Sequence, residues 1–90
     1  MENNMQVSNM YSSNGNKVAN QFIITDGVTD YFQSYNSMIV KRIDDQVYLD
    51  EHYWDYSKTT GKYRNMFLNE TKKDTEKKIK DGTYILTNLN

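Results

Sequence analysis

The chain has 90 residues, of which 26% are charged and 13% are aromatic, and its formal net charge is −1. This length is enough for one domain and too short for two. Because the sequence contains no cysteine, it excludes a disulfide framework and a thiolate metal site. It also lacks an apolar stretch long enough for a signal peptide or a membrane span, so we expect a cytoplasmic protein that does not enter a membrane.

The N-terminal segment is predicted to be flexible and the rest to form one domain. Residues 1–17 are rich in Asn and Ser and lack periodicity, which is typical of a tail. The domain, residues 18–90, begins with four short β-branched or alternating runs that predict strands. These strands cover residues 22–25, 28–35, 38–43 and 46–49. Asp26-Gly27 is a strong hairpin signal, and the short connections together predict an antiparallel meander.

Two helices and a final strand are predicted after the meander. They cover residues 58–68, 72–80 and 83–87. Ser57 is a good N-cap for the first helix, and Thr71 with Asp74 approximates a capping box for the second. Gly82 fits the position that follows a helix end. The predicted fold is therefore α+β, with a four-stranded antiparallel meander followed by two short helices and a C-terminal strand.

Catalytic and metal-binding chemistry is poorly represented in the sequence. His52 is the single histidine, and Asp50, Glu51 and Asp55 around it form at most a weak cluster for a hard cation or for acid–base work. No second imidazole or thiolate is available, and the four glycines are too isolated to cradle a phosphate. We therefore predict that the protein is not an enzyme and needs no cofactor or metal.

Aromatic residues are concentrated in two places where a core position and a binding position are both reasonable. Trp54 and Tyr56 precede the first helix, where they either pin that helix to the sheet or form an exposed anchor for a partner. On the second predicted strand, Tyr31 and Tyr35 share one face and Phe32 takes the other. One of these sets belongs to the core, and the other could stack bases or contact a protein.

Charge is divided between the two halves of the chain. Residues 1–55 contain eight acidic and three basic side chains, whereas residues 56–90 contain eight basic and four acidic ones. The basic half raises the alternative of DNA or RNA binding, although no helix-turn-helix, RNP or zinc-finger pattern accompanies it. The residues that would serve it are Lys58, Lys72, Lys73, Lys77 and Lys78. The acidic half favours a partner with a basic groove.

Three phrases resemble a family of small uncharacterised proteins that are carried by phages and prophages of low-GC Gram-positive bacteria. The phrases are YFQSYNSMI at 31–39, YWDYSKTTGKYRNMFL at 53–68 and KKIKDGTYILTNLN at 77–90. The resemblance covers about three quarters of the chain and brings no catalytic residues with it. It implies a small accessory phage protein in the host cytoplasm. Many such proteins bind and inhibit a host machine, and inhibitors of CRISPR nucleases are a prominent example.

The function expected from these observations is binding and inhibition of a host defence protein, with a Cas nuclease as the leading candidate. The residues expected at the contact are Asp50, Glu51, Trp54, Tyr56, Lys62 and Arg64. The alternative is a small DNA- or RNA-binding accessory protein that uses its basic helical half. A homodimer formed through an exposed strand edge, such as Thr83 to Thr87, is compatible with either function.

Overall fold

The computed structural model describes residues 5–90, and the fold is α+β, as predicted. It has six strands and two helices. In chain order they are β1 (Gln6–Tyr11), β2 (Lys17–Thr25), β3 (Thr29–Ser34), β4 (Ser37–Ile43), β5 (Gln46–Asp50), α1 (Lys58–Leu68), α2 (Lys72–Lys80) and β6 (Tyr84–Thr87). No helix in this part of the chain is long and apolar enough to cross a membrane.

All six strands form one sheet in which the strand order follows the chain. The pairs from β1 to β5 are antiparallel, and β6 is parallel to β5. A parallel pair cannot be joined by a tight turn, so the connection from β5 to β6 has to cross the sheet, and it carries both helices. The other connections are short turns that stay at the ends of the sheet. This topology places both helices on one face.

The core lies between the helices and that face of the sheet. Phe32 on β3 is fully buried and stacks on Phe67 of α1, with ring centroids 5.9 Å apart. Val40 and Leu49 are paired across β4 and β5 on the same face and are also fully buried. Of the two faces of β3 left open by the sequence, the one that carries Phe32 faces the core, and Tyr31 points to the opposite face.

Both helices begin and end where the sequence predicts. The Ser57 hydroxyl accepts a hydrogen bond from the backbone N–H of Thr60. Thr71 and Asp74 form a reciprocal capping box at the start of α2. Gly82 follows α2 with a positive φ of 86°, a conformation that glycine adopts without steric cost. These signals are local, so the sequence alone is sufficient to specify them.

A buried carboxylate attaches α2 to the last strand. Glu70 accepts hydrogen bonds from the Thr75 hydroxyl (2.5 Å), the Lys78 ammonium (2.7 Å) and the Tyr84 hydroxyl (2.7 Å). Burial acts to raise the pKa of Glu70, but these donors, with Lys78 first, outweigh it and lower the pKa below its usual value. Glu70 is therefore ionised at neutral pH and fixes α2 over the β5–β6 end of the sheet.

The N-terminal segment differs from the prediction of a flexible tail over residues 1–17. Gln6–Tyr11 forms strand β1, and β2 begins at Lys17 rather than near residue 22. Residues 6–9 pair with 25–22 in an antiparallel register. The Asn- and Ser-rich composition lacks a strand period of its own, and the strand exists because β2 provides a pairing partner. The first four residues of the predicted tail lie outside the described residues.

The predicted four-stranded meander is correspondingly too short. The meander has five strands, because β1 precedes the four that the sequence indicates. The predicted C-terminal strand is present as β6, and its pairing with β5 makes the sheet mixed.

Candidate protein-binding surface

The face of the sheet opposite the helices carries a row of side chains that crosses all six strands. Directly paired residues on neighbouring strands share a face, so the strand register identifies the row. It lies opposite the helices because its β3 member, Tyr31, is adjacent to the helix-facing Phe32. In strand order, the row consists of Val7, Ile24, Tyr31, Lys41, Tyr48 and Ile85. We refer to these six residues as the open-face row.

The open-face row lies outside the hydrophobic core. None of its members belongs to the buried core cluster or to the partly buried residues packed against it. Val7 and Ile85, at the two ends, are 62% and 40% exposed, and the four residues between them are half-buried by their neighbours on adjacent strands. Phe22 and Ile43 extend the same face along β2 and β4. Within residues 5–90, neither helix covers this apolar surface.

Lys41 is the single charged member of the row and lies between two tyrosines. It pairs directly with Tyr31 on β3 and with Tyr48 on β5. Its Nζ atom is 5.9 Å from the centre of the Tyr48 ring, within the range of a cation–π contact. A partner that contacts the middle of the face therefore meets a cation flanked by aromatic rings, and tyrosine is among the residues that dominate interface hot spots.

Asp50, predicted at the contact, is buried and fully used by the fold. One carboxylate oxygen accepts the backbone N–H groups of His52 (3.0 Å) and Tyr53 (2.9 Å), and the other accepts the N–H of Leu89 (2.8 Å). Burial acts to raise the pKa of Asp50, but hydrogen bonds from Leu89, the Asn90 side chain, His52 and Tyr53 outweigh it, and the pKa is lowered. The side chain joins the end of β5 to the chain terminus and does not face a partner.

Arg64, also predicted at the contact, is a second buried charge. Its Nη1 atom donates to the carbonyl of Trp54 (2.6 Å) and to the carboxylate of Asp55 (3.2 Å), and its Nη2 atom donates to Asn65 (3.0 Å). The guanidinium lies 5.1 Å from the centre of the Trp54 ring. The side chain is fully buried, and its hydrogen bonds are all made within the fold. It fixes the loop before α1 to the helix.

The other four predicted contact residues lie nearer the surface, but they do not converge. Trp54 is half-buried and packs against the core, so its interpretation as a residue that pins α1 is the one that matches its position. Tyr56 is 66% exposed and meets Tyr53 edge to face, with ring centroids 5.6 Å apart. Glu51 and Lys62 are exposed. Tyr56 is thus the one predicted aromatic anchor with a free surface, at the border of a depression lined by Tyr35, Tyr53 and Tyr56.

The lysines predicted for nucleic-acid binding lie on the two helices and therefore on the helix side of the sheet. Two of them are engaged in ion pairs, Lys72 with Asp55 (2.6 Å) and Lys78 with Glu70 (2.7 Å). The hydrogen bond that the Lys72 ammonium donates to the Asp55 carboxylate is the main cause that raises the pKa of Lys72. The remaining three, Lys58, Lys73 and Lys77, are exposed.

The weak cluster around His52 does not form a metal site. Asp50 faces backbone donors, and Asp55 is bound by Lys72 and Arg64. Across residues 5–90, no group of three or more His, Cys, Asp or Glu side chains could hold a metal ion.

The model of a family of unknown function, DUF8033, matches residues 5–82. The chain belongs to this family. No curated protein and no solved structure matches the chain.

The matched region of this DUF8033 member contains most of the open-face row. Five of the six residues lie within residues 5–82, and Ile85 lies just beyond. The sequence pattern predicts Tyr31 as a candidate stacking residue but does not indicate Val7, Ile24, Lys41 or Tyr48. The signal that could have found them is the topology of the sheet. Within residues 5–90, the connection from β5 to β6 is the one connection long enough to cross a face, and it carries both helices, so the opposite face is left uncovered.

Proposed function

We propose that this protein is a non-enzymatic binding protein whose open-face row contacts a partner protein. The observation that supports this proposal is the continuous apolar and aromatic row across six strands, which is excluded from the core. Monomeric proteins rarely leave a contiguous apolar surface of this kind exposed unless it binds something. Lys41 at the centre favours a partner that brings a carboxylate into an otherwise apolar patch.

A protein partner fits this face better than a nucleic acid does. Nucleic-acid binding by stacking requires aromatic rings and a run of cations on the same surface. Here the rings of Tyr31 and Tyr48 are on one side of the sheet, with Lys41 as the single cation of the row, and the lysines of α1 and α2 are on the other side. DNA or RNA binding remains the second candidate, and the exposed Lys58, Lys73 and Lys77 favour it.

The partner class follows from the resemblance to phage and prophage proteins. Small phage proteins of this size commonly block a host protein by occupying one of its working surfaces. We therefore propose inhibition of a host defence protein, with a CRISPR nuclease as the leading candidate. Such an inhibitor binds stoichiometrically, so it needs a broad contact surface and no catalytic group. The open-face row, which is apolar and aromatic apart from Lys41, is the surface we propose for that contact.

The first experiment is a tagged pull-down from the nuclease-treated lysate of a CRISPR-bearing Gram-positive host, using the wild type and two variants. Tyr48→Thr removes a ring from the centre of the row and keeps a β-branched residue in the strand. Tyr56→Ala removes the most exposed tyrosine on the helix side and serves as the matched control. Thermal unfolding monitored by circular dichroism checks that both variants fold.

We expect one host protein that is captured by the wild type and by Tyr56→Ala and is lost with Tyr48→Thr. Truncation of a central aromatic anchor costs about 2 kcal/mol or more, so affinity for the purified partner should fall at least about thirtyfold. Loss with Tyr56→Ala and retention with Tyr48→Thr would refute the proposed face and favour the predicted contact around Trp54. Recovery of nucleic-acid-associated proteins only from a parallel lysate without nuclease, and of no host protein from the treated one, would favour the second candidate. That outcome predicts binding that weakens steeply with salt.

A further inference from the structure

The first strand forms an unprotected edge of the sheet. Among the described residues, 5–90, β1 pairs with β2 on one side only. Its six residues, QVSNMY, contain no charge and no proline. Natural proteins usually block such edges with lysine, proline or very short strands, because free backbone N–H and C=O groups recruit another strand. A bulge near Asn9 is the one irregularity in the β1–β2 pairing.

Large apolar side chains are exposed along this edge. Met5, Val7 and Tyr11 are 57%, 62% and 53% exposed. Val7 and Tyr11 lie on either side of the register shift that follows Asn9 in the β1–β2 pairing. An antiparallel partner strand centred on Asn9 would place each of these two side chains beside an apolar neighbour.

The helix layer leaves room for an added strand at this edge. α1 packs over β3, and α2 packs over β6, so the helix side of β1 borders an open groove rather than a helix. The groove is lined by Met10 and Ile23 from the sheet and by Met66 and Phe67 from α1. Within residues 5–90, the main sheet contacts of the helices are with β3 and β6 and not with β1. The opposite edge, β6, has four residues and is flanked by α2.

We propose that β1 pairs with β1 of a second copy in an antiparallel, two-fold symmetric arrangement that joins the two sheets into one. A strand without charges pairs with itself free of like-charge repulsion, which is the usual barrier to edge-to-edge association. In the register centred on Asn9, Val7 of each copy lies opposite Tyr11 of the other, and Met10 lies opposite Ser8. An isologous contact of this kind closes at the dimer. The proposed dimer therefore uses β1, at the opposite edge of the sheet from the strand edge predicted from sequence, Thr83 to Thr87.

The test is sedimentation velocity of the full chain over a hundredfold range of concentration, with three variants. Val7→Lys and Tyr11→Lys place a charge on the β1 edge, where both side chains are already exposed, so the monomer should fold as the wild type does. Leu86→Lys places the same charge on the β6 edge and is the matched control. We expect concentration-dependent dimers for the wild type and Leu86→Lys, and monomers for the two β1 variants.

Hydrogen exchange measured by NMR provides a second readout. Backbone amides of β1 that point away from β2 should exchange more slowly as the concentration of the wild type rises, and those of Val7→Lys should not change. A wild type that stays monomeric throughout would overturn the proposal. A dimer that survives both β1 variants would also overturn it. If that dimer is lost with Leu86→Lys, the contact is the β6 edge. If it is lost with the open-face variant Tyr48→Thr, the contact is the open face.

Discussion

Replacing Asp50 by Asn converts one oxygen of a buried carboxylate into an NH2 group and keeps the size of the side chain. One carboxylate oxygen accepts two backbone N–H groups, from His52 and Tyr53, and the other accepts one, from Leu89. The carbonyl oxygen of the Asn side chain is expected to take the position with two donors. Its NH2 group then faces the N–H of Leu89, and that hydrogen bond is lost.

We expect Asp50→Asn to lower the free energy of unfolding by about 2–3 kcal/mol at pH 7, because a hydrogen bond to a charged group contributes about 1.5–3 kcal/mol. Urea denaturation followed by the fluorescence of Trp54 measures this difference. The matched control is Glu51→Gln, which makes the same change of charge on the adjacent exposed side chain. It should change the free energy of unfolding by less than about 0.5 kcal/mol.

The pH dependence tests the origin of that difference. The folded-state pKa of Asp50 is lowered, so the carboxylate contributes its full stabilisation above the unfolded-state value of about 3.9, and this contribution is lost as the pH falls through the folded-state pKa. The gap between the wild type and Asp50→Asn should therefore be full at pH 7 and shrink below about pH 4. Equal stability of the two proteins at pH 7 would refute the burial of Asp50 among backbone donors and restore it as a surface residue.

Two further substitutions test the packing beneath α1. Gln21 is fully buried, and neither side-chain amide atom has a hydrogen-bond partner within residues 5–90. Because Met has no amide group to leave unsatisfied, Gln21→Met should raise the free energy of unfolding by about 1–2 kcal/mol. Urea denaturation measures this change. A decrease would show that the amide is satisfied in solution. Arg64→Lys keeps the charge but loses the forked guanidinium group that binds Trp54, Asp55 and Asn65. It should therefore lower the melting temperature. The control Lys62→Met, on the exposed side of α1, should leave the melting temperature unchanged. A melting temperature equal to that of the wild type would contradict the buried position of Arg64.

The helices were predictable because their limits are set by neighbouring residues. The hydroxyl groups of Ser57 and Thr71 accept N–H groups only three residues away, and Gly82 supplies the left-handed residue after α2 within its own turn. No distant part of the chain is needed to place these signals. The hairpin turn at Asp26-Gly27 is local in the same sense, since Asp26 accepts the N–H groups of Val28 and Thr29.

The first strand was not predictable from local composition. Residues 6–11 become a strand by pairing with residues 17–25, and the weak apolar pattern QVSNMY takes its alternation from that partner. The left-handed backbone of Asn20 (φ 66°) further disrupts the strand pattern that a sequence reading relies on. Pairing energy from a neighbouring strand is a tertiary term, and strand propensity is sensitive to such terms.

The candidate site was only partly predictable for a related reason. A sequence pattern treats Asp50 and Arg64 as surface charges because charged residues are seldom fully buried. Their burial depends on groups that distant segments deliver, such as the N–H of Leu89, 39 positions along the chain from Asp50. Tyr48 and Ile24 lie in short apolar strands, where the local sequence does not show which face of the sheet is buried. They are left outside the core because the crossover takes both helices to the other face.

The relation between sheet width and helix cover explains why the proposed surfaces occur together. Six strands spaced about 4.8 Å apart span roughly 24 Å, and two helices packed about 10 Å apart cover roughly 20 Å of that width. In this fold the helices make their main contacts with β3 and β6, and the helix side of β1 borders a groove that Met66 and Phe67 of α1 line from the other side. Within residues 5–90, the edge strand is therefore open on its free side, next to an apolar row that spans the sheet. A chain under selection for stability alone would be expected to shorten or charge β1, and its neutral six-residue edge is more consistent with a strand kept for association.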